Sequence, residues 1–220
     1  VTLRFTHAFI FDLDGVITDT ATQHLQAWHN LALEIGVPFD PQMGEKLKGL
    51  SRMDSLELLL AGSKRHFDDR IKQQFADRKN AAYVQSLARM SAADLLPGAL
   101  DALQAVRAGG WGLALASASK NAMTVLDRLG IAHLFHHVVD AARIARGKPD
   151  PETFLAAAQA LDVFPTRCIG IEDAVAGVQS IRSAGMFAVG IGSAEVLGAA
   201  DLVLPDLTAL QPEALLRRLP

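Results

Sequence analysis

The chain has 220 residues, half of them hydrophobic, which suits one large domain or one domain carrying a smaller one and is too apolar for a disordered chain. Its 21 basic and 24 acidic residues leave a net charge of −3, without the basic excess of a general nucleic-acid binder, and its single Cys168 excludes an intramolecular disulfide. No run approaches the ~18 apolar residues of a membrane span.

In chain order, Val1–Asp14 carries one Arg and two carboxylates, which does not fit a signal peptide. The expectation is a cytoplasmic monomer with no membrane or nucleic-acid partner. Ala8–Leu13 reads as a first buried strand. Residues 19–93 then read as helical, through Leu25, Trp28, Leu31 and Leu33–Ile35, then Leu56–Leu60, then Phe75–Leu87. This stretch is too long for a crossover and too periodic for a loop. It predicts an inserted helical cap, with hinges at Gly15–Thr20 and near Ala93–Gly98, where Pro97-Gly98 is a strong breaker.

From there strands and helices alternate. Leu100, Leu103 and Val106 form an apolar stripe before the strand Gly112–Ala116. Met123, Leu126 and Leu129 form the next, ahead of Gly130 and a strand at Val138–Val139. Phe154, Leu155, Ala158 and Leu161 precede Cys168–Ile171; the strands Phe187–Ile191 and Leu202–Leu204 follow. Gly130 and Gly185 stand where helix C-caps are expected. Strands alternating with single helices predict an α/β fold, a Rossmann-like doubly wound parallel sheet. The predicted core is discontinuous, residues 1–18 and 94–220, and the cap is residues 19–93. The cap holds ten basic and nine acidic residues, the core eleven and fifteen, so the acidity belongs to the core.

Ligands of such sheets bind beyond the carboxyl ends of the strands. There the sequence places Asp12 and Asp14, then Ser117 and Ser119, then Lys148, then Glu172 and Asp173. Taken singly, each has an ordinary explanation. Asp173 fits the N-cap of a helix starting at Ala174, Lys148 a solvated loop, and Ser117 and Ser119 a turn. Their recurrence at successive strand ends points instead to one site. Clustered carboxylates repel one another unless a hard cation intervenes, and few carboxylates with waters and substrate phosphate is the Mg²⁺ pattern. Lys148 and Ser117 are placed to hold phosphate oxygens. No Walker-type loop is present, and Gly190-x-Gly192 lacks a third glycine.

Phe11-Asp12-Leu13-Asp14-Gly15-Val16 resembles the first signature of the haloacid dehalogenase superfamily of phosphotransferases. Ser117, Lys148-Pro149 and Gly170-Ile171-Glu172-Asp173 are similar to its second, third and fourth, in order. An insertion after the first strand resembles that family's mobile helical cap. Within the superfamily, several further segments resemble its β-phosphoglucomutase branch. They are Thr18-Asp19-Thr20, His24, Trp28, Leu47-Lys48-Gly49-Leu50-Ser51-Arg52 with Ser55, Arg78-Lys79-Asn80 and Ala116–Asn121. Ala174 departs from relatives that carry Ser after the Glu-Asp pair.

The resemblance implies Mg²⁺-dependent interconversion of β-glucose 1-phosphate and glucose 6-phosphate, through an aspartyl phosphate and a bisphosphate intermediate; a sugar-phosphate phosphatase is the alternative. Asp12 is the expected nucleophile and Asp14 the expected general acid and base. Asp12, Asp14 (through its carbonyl), Glu172 and Asp173 are expected at the metal. Lys148, Ser117, Ala118, Ser119 and Asn121 are expected at the phosphate or neighbouring ligand atoms. In the cap, Lys48, Gly49, Arg52 and Ser55 are expected at the substrate, with Arg52 on a second phosphate. His24 and Lys79 resemble a pair that positions Asp14, and Thr20 lies in the first hinge. Trp28 reads as cap core, and Lys64-Arg65-His66 and Arg217-Arg218 as solvated faces. His133, His136 and His137 read as loop and strand-start residues. A receiver-type signalling module has half this length and a different order of acidic residues. Phosphonate cleavage needs a cap lysine, for which Lys48 is available.

Overall fold

The computed structural model describes residues 5–40, 42–47 and 49–219. Strand β1 (Ala8–Phe11) is followed by four helices, α1 (Ala21–Ile35), α2 (Met43–Leu47), α3 (Arg52–Leu60) and α4 (Asp69–Leu87). The chain then alternates: α5 (Ala99–Ala108), β2 (Gly112–Leu115), α6 (Ala122–Arg128), β3 (His137–Val138), α7 (Glu152–Leu161) and β4 (Cys168–Glu172). It ends with α8 (Val175–Ser183), β5 (Phe187–Ile191), α9 (Ala194–Leu197), β6 (Leu202–Leu204) and α10 (Pro212–Leu216). The six strands form one parallel sheet in the order β3-β2-β1-β4-β5-β6, as the alternation predicts.

Strands β1, β2 and β4 are buried along their whole length, which their unbroken apolar runs require. Successive side chains point to opposite faces. Phe9 and Phe11 join Leu103, Leu115 and Ile171 in one apolar cluster, while Ala8 and Ile10 join Ala114, Phe154 and Ile181 in the other. Each fully buried Leu, Ile or Phe contributes roughly 1.5–3 kcal/mol, so these two layers dominate the fold's stability.

The helix stripes are rotated from the sequence expectation. Leu100 is 38% exposed and Met123 49% exposed, while Ala99, Ala102, Ala122 and Val125 take the buried positions beside Leu103 and Leu126. Leu155 is turned outward in the same way, with Ala157 and Ala158 inside. Hydropathy ranks Leu and Met above Ala, but close approach of helix to sheet favours the small residue. The first ladder also ends at Phe11 rather than Leu13. Asp12 N still donates to Ile171 O at 2.9 Å, and the chain then turns, with Ile17 N donating to Leu13 O. Gly130 and Gly185 stand one residue past the caps of α6 and α8, as expected.

Helices α1–α4 carry their own apolar cluster, built on Trp28, Leu31, Leu56, Leu59, Phe75 and Ala76. Ser51 caps α3 by accepting from Asp54 N, and Asp68 caps α4 by accepting from Ile71 N at 2.8 Å. The separation is incomplete, because Ala27, Tyr83, Leu87 and Met90 join the cluster of the sheet. The two connections run side by side: Leu96 N donates to Ile17 O at 2.9 Å, and Thr18 Oγ1 to Asp94 O at 2.8 Å. Helix α2 was not expected, since five residues are too few to show a helical period. Among the described residues no helix is long and apolar enough to cross a membrane.

Candidate active site

The chain reverses its direction across the sheet between β1 and β4, and the crevice at such a switch point is where α/β sheets hold ligands. Asp12 leaves β1 there, and Glu172 ends β4 beside it. Carboxylate oxygens of Asp12, Glu172 and Asp173 lie within 4.8 Å of one another. Two glycines make this packing possible. The Asp173 carboxylate occupies the space that a Cβ on Gly15 would fill, and the Glu172 carboxylate the space of a Cβ on Gly177. Gly15 also has φ 77°, a conformation that L side chains rarely adopt. The three oxygens present a hard, anionic donor set suited to a divalent cation. The Asp14 carboxylate stays outside that set.

Lys148 lies beneath the carboxylates, its ammonium 2.5 Å from Asp12 Oδ1 and 3.1 Å from Glu172 Oε1. Burial pulls its pKa down, but the two carboxylates outweigh burial and hold it above the ordinary lysine range. A fully buried Lys148 is therefore a built part of the site and not a solvated loop residue. Burial raises Glu172, against the pull of Lys148. Asp173 does not cap α8; the cap position falls on Ala174, which offers no side-chain bond. Ser117 is buried at the end of β2 and accepts from Ser119 N at 3.1 Å, so the turn reading holds alongside its place in the site. Ser119 in turn accepts from Asn121 N.

Above these residues a cleft of about 820 Å³, counting its open mouth, lies between the sheet and helices α1–α4. Asp12, Asp14, Ser117, Ala118, Ser119, Asn121 and Asp173 line it from the sheet side, and His24, Gly49, Arg52, Ser55 and Lys79 from the helices. Twelve of the sequence-predicted residues therefore share one cavity. Lys148 and Glu172 lie just below it. Thr20 is buried at the start of α1 without lining the cleft, and Lys48 lies outside the described residues. Trp28 does both of its possible jobs: it belongs to the cap cluster and its ring also faces the cleft.

Among the described residues, Asp14 Oδ1 and His24 Nε2 are buried where cap meets core without a hydrogen-bond partner, and the buried hydroxyls of Thr20 and Tyr83 interact with each other beside them. Burial pushes Asp14 up to about 8, and the carboxylates of Asp12 and Asp173 add to the effect. Burial and the Arg52 charge push Lys79 down to about 7. Lys79 Nζ lies 2.5 Å from His24 Nδ1, above the rings of Trp28 and Tyr83. With Lys79 as donor, the His24 proton sits on Nε2. Burial, then the charges of Lys79 and Arg52, hold His24 well below the usual imidazole range. An isolated histidine on a helix is ordinarily structural; this one is tied to a lysine that faces the cleft.

Residues 6–185 match the family model of haloacid dehalogenase-like hydrolases. The chain belongs to this family. The chain is 46% identical over 210 residues to β-phosphoglucomutase of Bacillus subtilis, covering 94% of this chain and 93% of that one. It is 31% identical over 207 residues to validoxylamine A 7′-phosphate phosphatase of Streptomyces hygroscopicus, covering 92% and 94%. The crystal structure of β-phosphoglucomutase from Clostridium difficile superposes with a TM-score of 0.93 at 44% identity, over 96% of each chain. The haloacid dehalogenase-like fold with cap helices is thereby established for this chain.

Tyr83 escaped the sequence reading, and Asn80 was named there only within a resembling segment, with no role given to it. Tyr83 stacks on His24 with ring centroids 3.8 Å apart, yet its spacing on α4 is that of any core aromatic. Asn80 connects Arg52 to Asn121. Its position beside Lys79 was visible, but a bond between two distant segments has no sequence signal. Elsewhere, His137 starts β3 and His136 Nδ1 accepts from Leu113 N, in keeping with a structural reading. Arg65 is less free than a solvated face implies, since it donates to Ile35 O and lies over Phe67.

Proposed function

We propose that this protein is a Mg²⁺-dependent mutase that interconverts β-glucose 1-phosphate and glucose 6-phosphate in the cytoplasm. The observation that carries the reading is the two-sided cleft, with a carboxylate and ammonium set on the sheet side and Arg52 facing it from the cap. A phosphatase needs only the first set. A mutase also has to hold a bisphosphate, whose second phosphate lies away from the metal, and a guanidinium suits that phosphate. The 46% identity to a β-phosphoglucomutase supports the same choice.

Asp12, Glu172 and Asp173 would hold Mg²⁺, with the Asp14 carbonyl completing the protein's share. The bound ion supplies charge that offsets the developing charge on the transferring phosphoryl oxygens. The chain's own groups divide the remaining work. Asp12 attacks phosphorus and becomes an aspartyl phosphate, while Asp14, two residues on, gives a proton to the departing sugar oxygen. Asp14 then takes a proton from the sugar hydroxyl that receives the phosphoryl group. Lys148 and Ser117 hold the phosphoryl oxygens, and Ala118, Ser119 and Asn121 line the adjoining wall. His24, Lys79 and Thr20 position Asp14 as the cap, residues 19–93, closes on the core, residues 1–18 and 94–220. Gly49, Arg52 and Ser55, with Lys48, read the rest of the sugar phosphate. Closure excludes water, which would otherwise take the phosphoryl group.

Purified protein is given β-glucose 1-phosphate, Mg²⁺ and a catalytic amount of glucose 1,6-bisphosphate, and glucose 6-phosphate and free phosphate are both measured. The reading predicts glucose 6-phosphate as the main product. Free phosphate without glucose 6-phosphate would favour the phosphatase alternative, which the validoxylamine 7′-phosphate phosphatase relative represents.

A further inference from the structure

Asn80 lies on α4, behind the wall of the cleft and not on its surface. Its Oδ1 accepts from Arg52 Nη2 at 2.8 Å and from Asn121 Nδ2 at 2.8 Å. Arg52 opens α3 in the cap, whereas Asn121 precedes α6 in the core. A single carbonyl oxygen therefore joins cap to core through two residues that both line the cleft. The orientation of the amides follows from chemistry. Arginine only donates, so the Asn80 atom facing it is oxygen, and the Asn121 atom facing that oxygen must be nitrogen.

Asn121 adds a second, independent sign. Asparagine is among the favoured N-cap residues, yet its side chain makes no capping bond to α6. That side chain is turned across the cleft to Asn80. The chemistry of the acceptor matters too. A carboxamide orients the guanidinium without neutralising it, whereas a carboxylate would cancel the charge needed for phosphate. Arg52 has five N–H donors and Asn121 has two, so each keeps donors for a ligand after bonding Asn80.

We propose that Asn80 is a positioning residue that sets Arg52 and Asn121 as paired donors for the second phosphate of the substrate, and so couples recognition of that phosphate to cap closure. The inference rests on the mutase reading above and extends it to a residue that touches no substrate atom. Loss of Asn80 frees the two donors from each other and leaves Asp12, Lys148 and the acidic set untouched.

The test compares wild type, Asn80→Ala and Asn80→Asp, with Mg²⁺ present, on two substrates. One is β-glucose 1-phosphate with catalytic glucose 1,6-bisphosphate; the other is p-nitrophenyl phosphate, which has no second phosphate. Asn80→Ala is expected to raise KM for the sugar phosphate about tenfold, while hydrolysis of p-nitrophenyl phosphate stays within about twofold of wild type. Asn80→Asp restores both bonds but sets a negative charge beside Arg52. It is expected to keep the wild-type melting temperature without recovering KM. An unchanged KM in Asn80→Ala, an equal loss on both substrates, or recovery of both properties by Asn80→Asp would overturn the inference. A wild type that forms no glucose 6-phosphate overturns the mutase reading and this inference with it. Normal wild-type turnover with an unaffected Asn80→Ala overturns the inference alone.

Discussion

The two sides of the cleft are built on opposite principles. On the sheet side, charged groups are buried in mutual contact: Lys148 bonds Asp12 and Glu172, and Asp173 N donates to Glu172. On the cap side, Lys79 and His24 are buried against aromatic rings, and His24 Nε2 has no hydrogen-bond partner. An unsatisfied buried polar group costs about 1–3 kcal/mol, so such atoms persist where a ligand or a movement supplies their partners. The acidic and ammonium set of the core is thus mutually satisfied, whereas Asp14 Oδ1 in the core and His24 Nε2 in the cap are left without a partner. On the proposed reading, reaction chemistry resides in the core and selection among substrates in the cap.

The largest expected effect breaks the core alone. Asp12→Asn keeps the shape and removes the nucleophile, so mutase and phosphatase turnover should both fall by about 10⁴-fold or more. Steady-state assays on the sugar phosphate and on p-nitrophenyl phosphate check this; retained turnover on either would refute the assignment of Asp12. Next comes the cap. Arg52→Ala should lower kcat/KM on β-glucose 1-phosphate by roughly 10²-fold through the lost phosphate contact, with far less effect on the small ester. Equal losses on the two substrates would remove the distinction between the sides.

Stability offers a third probe. Leu56 is fully buried in the cap's own cluster, so Leu56→Ala should cost about 2–5 kcal/mol. Hydrogen exchange should show faster opening in α1, α3 and α4 while β1, β2 and β4 keep their protection. Uniform acceleration would mean that cap and core unfold as one unit. The smallest effect is on pH dependence. His24 stays neutral in the folded protein while an unfolded histidine takes up a proton near pH 6.5. Its neutral burial carries no penalty above pH 6.5 and lowers stability as pH falls below it, by about 1 kcal/mol at pH 5.5. Denaturant titrations of His24→Gln should show a correspondingly flatter acid limb; an identical limb would place the acid sensitivity elsewhere.

The same contrast explains what sequence reasoning reached. The strand-end residues were found because a parallel sheet brings successive strand termini to one edge, whatever the packing details. Arg52, Ser55 and Lys79 come from two helices whose mutual orientation no local pattern encodes; their family resemblance located them, and the structure brought them to one cavity. The rotated stripes of α5 and α6 mark the limit of hydropathy, which cannot weigh the size of Ala99 or Ala122 against the exposure of Leu100 or Met123. Tyr83 and Asn80 were beyond reach because their meaning lies in contacts with His24 and with the Arg52–Asn121 pair.

A cap that closes over its ligand should make the phosphorylated enzyme wait for sugar. The direct measurement forms the aspartyl phosphate with a small phosphoryl donor and Mg²⁺, removes the donor, and follows loss of the phosphoryl group by intact mass. Decay in water alone is compared with decay after β-glucose 1-phosphate is added. The account predicts slow hydrolysis alone and loss at least ~100-fold faster with the sugar phosphate, the phosphoryl group appearing in the bisphosphate. Equal decay with and without sugar phosphate, the phosphoryl group passing to water in both, would contradict it.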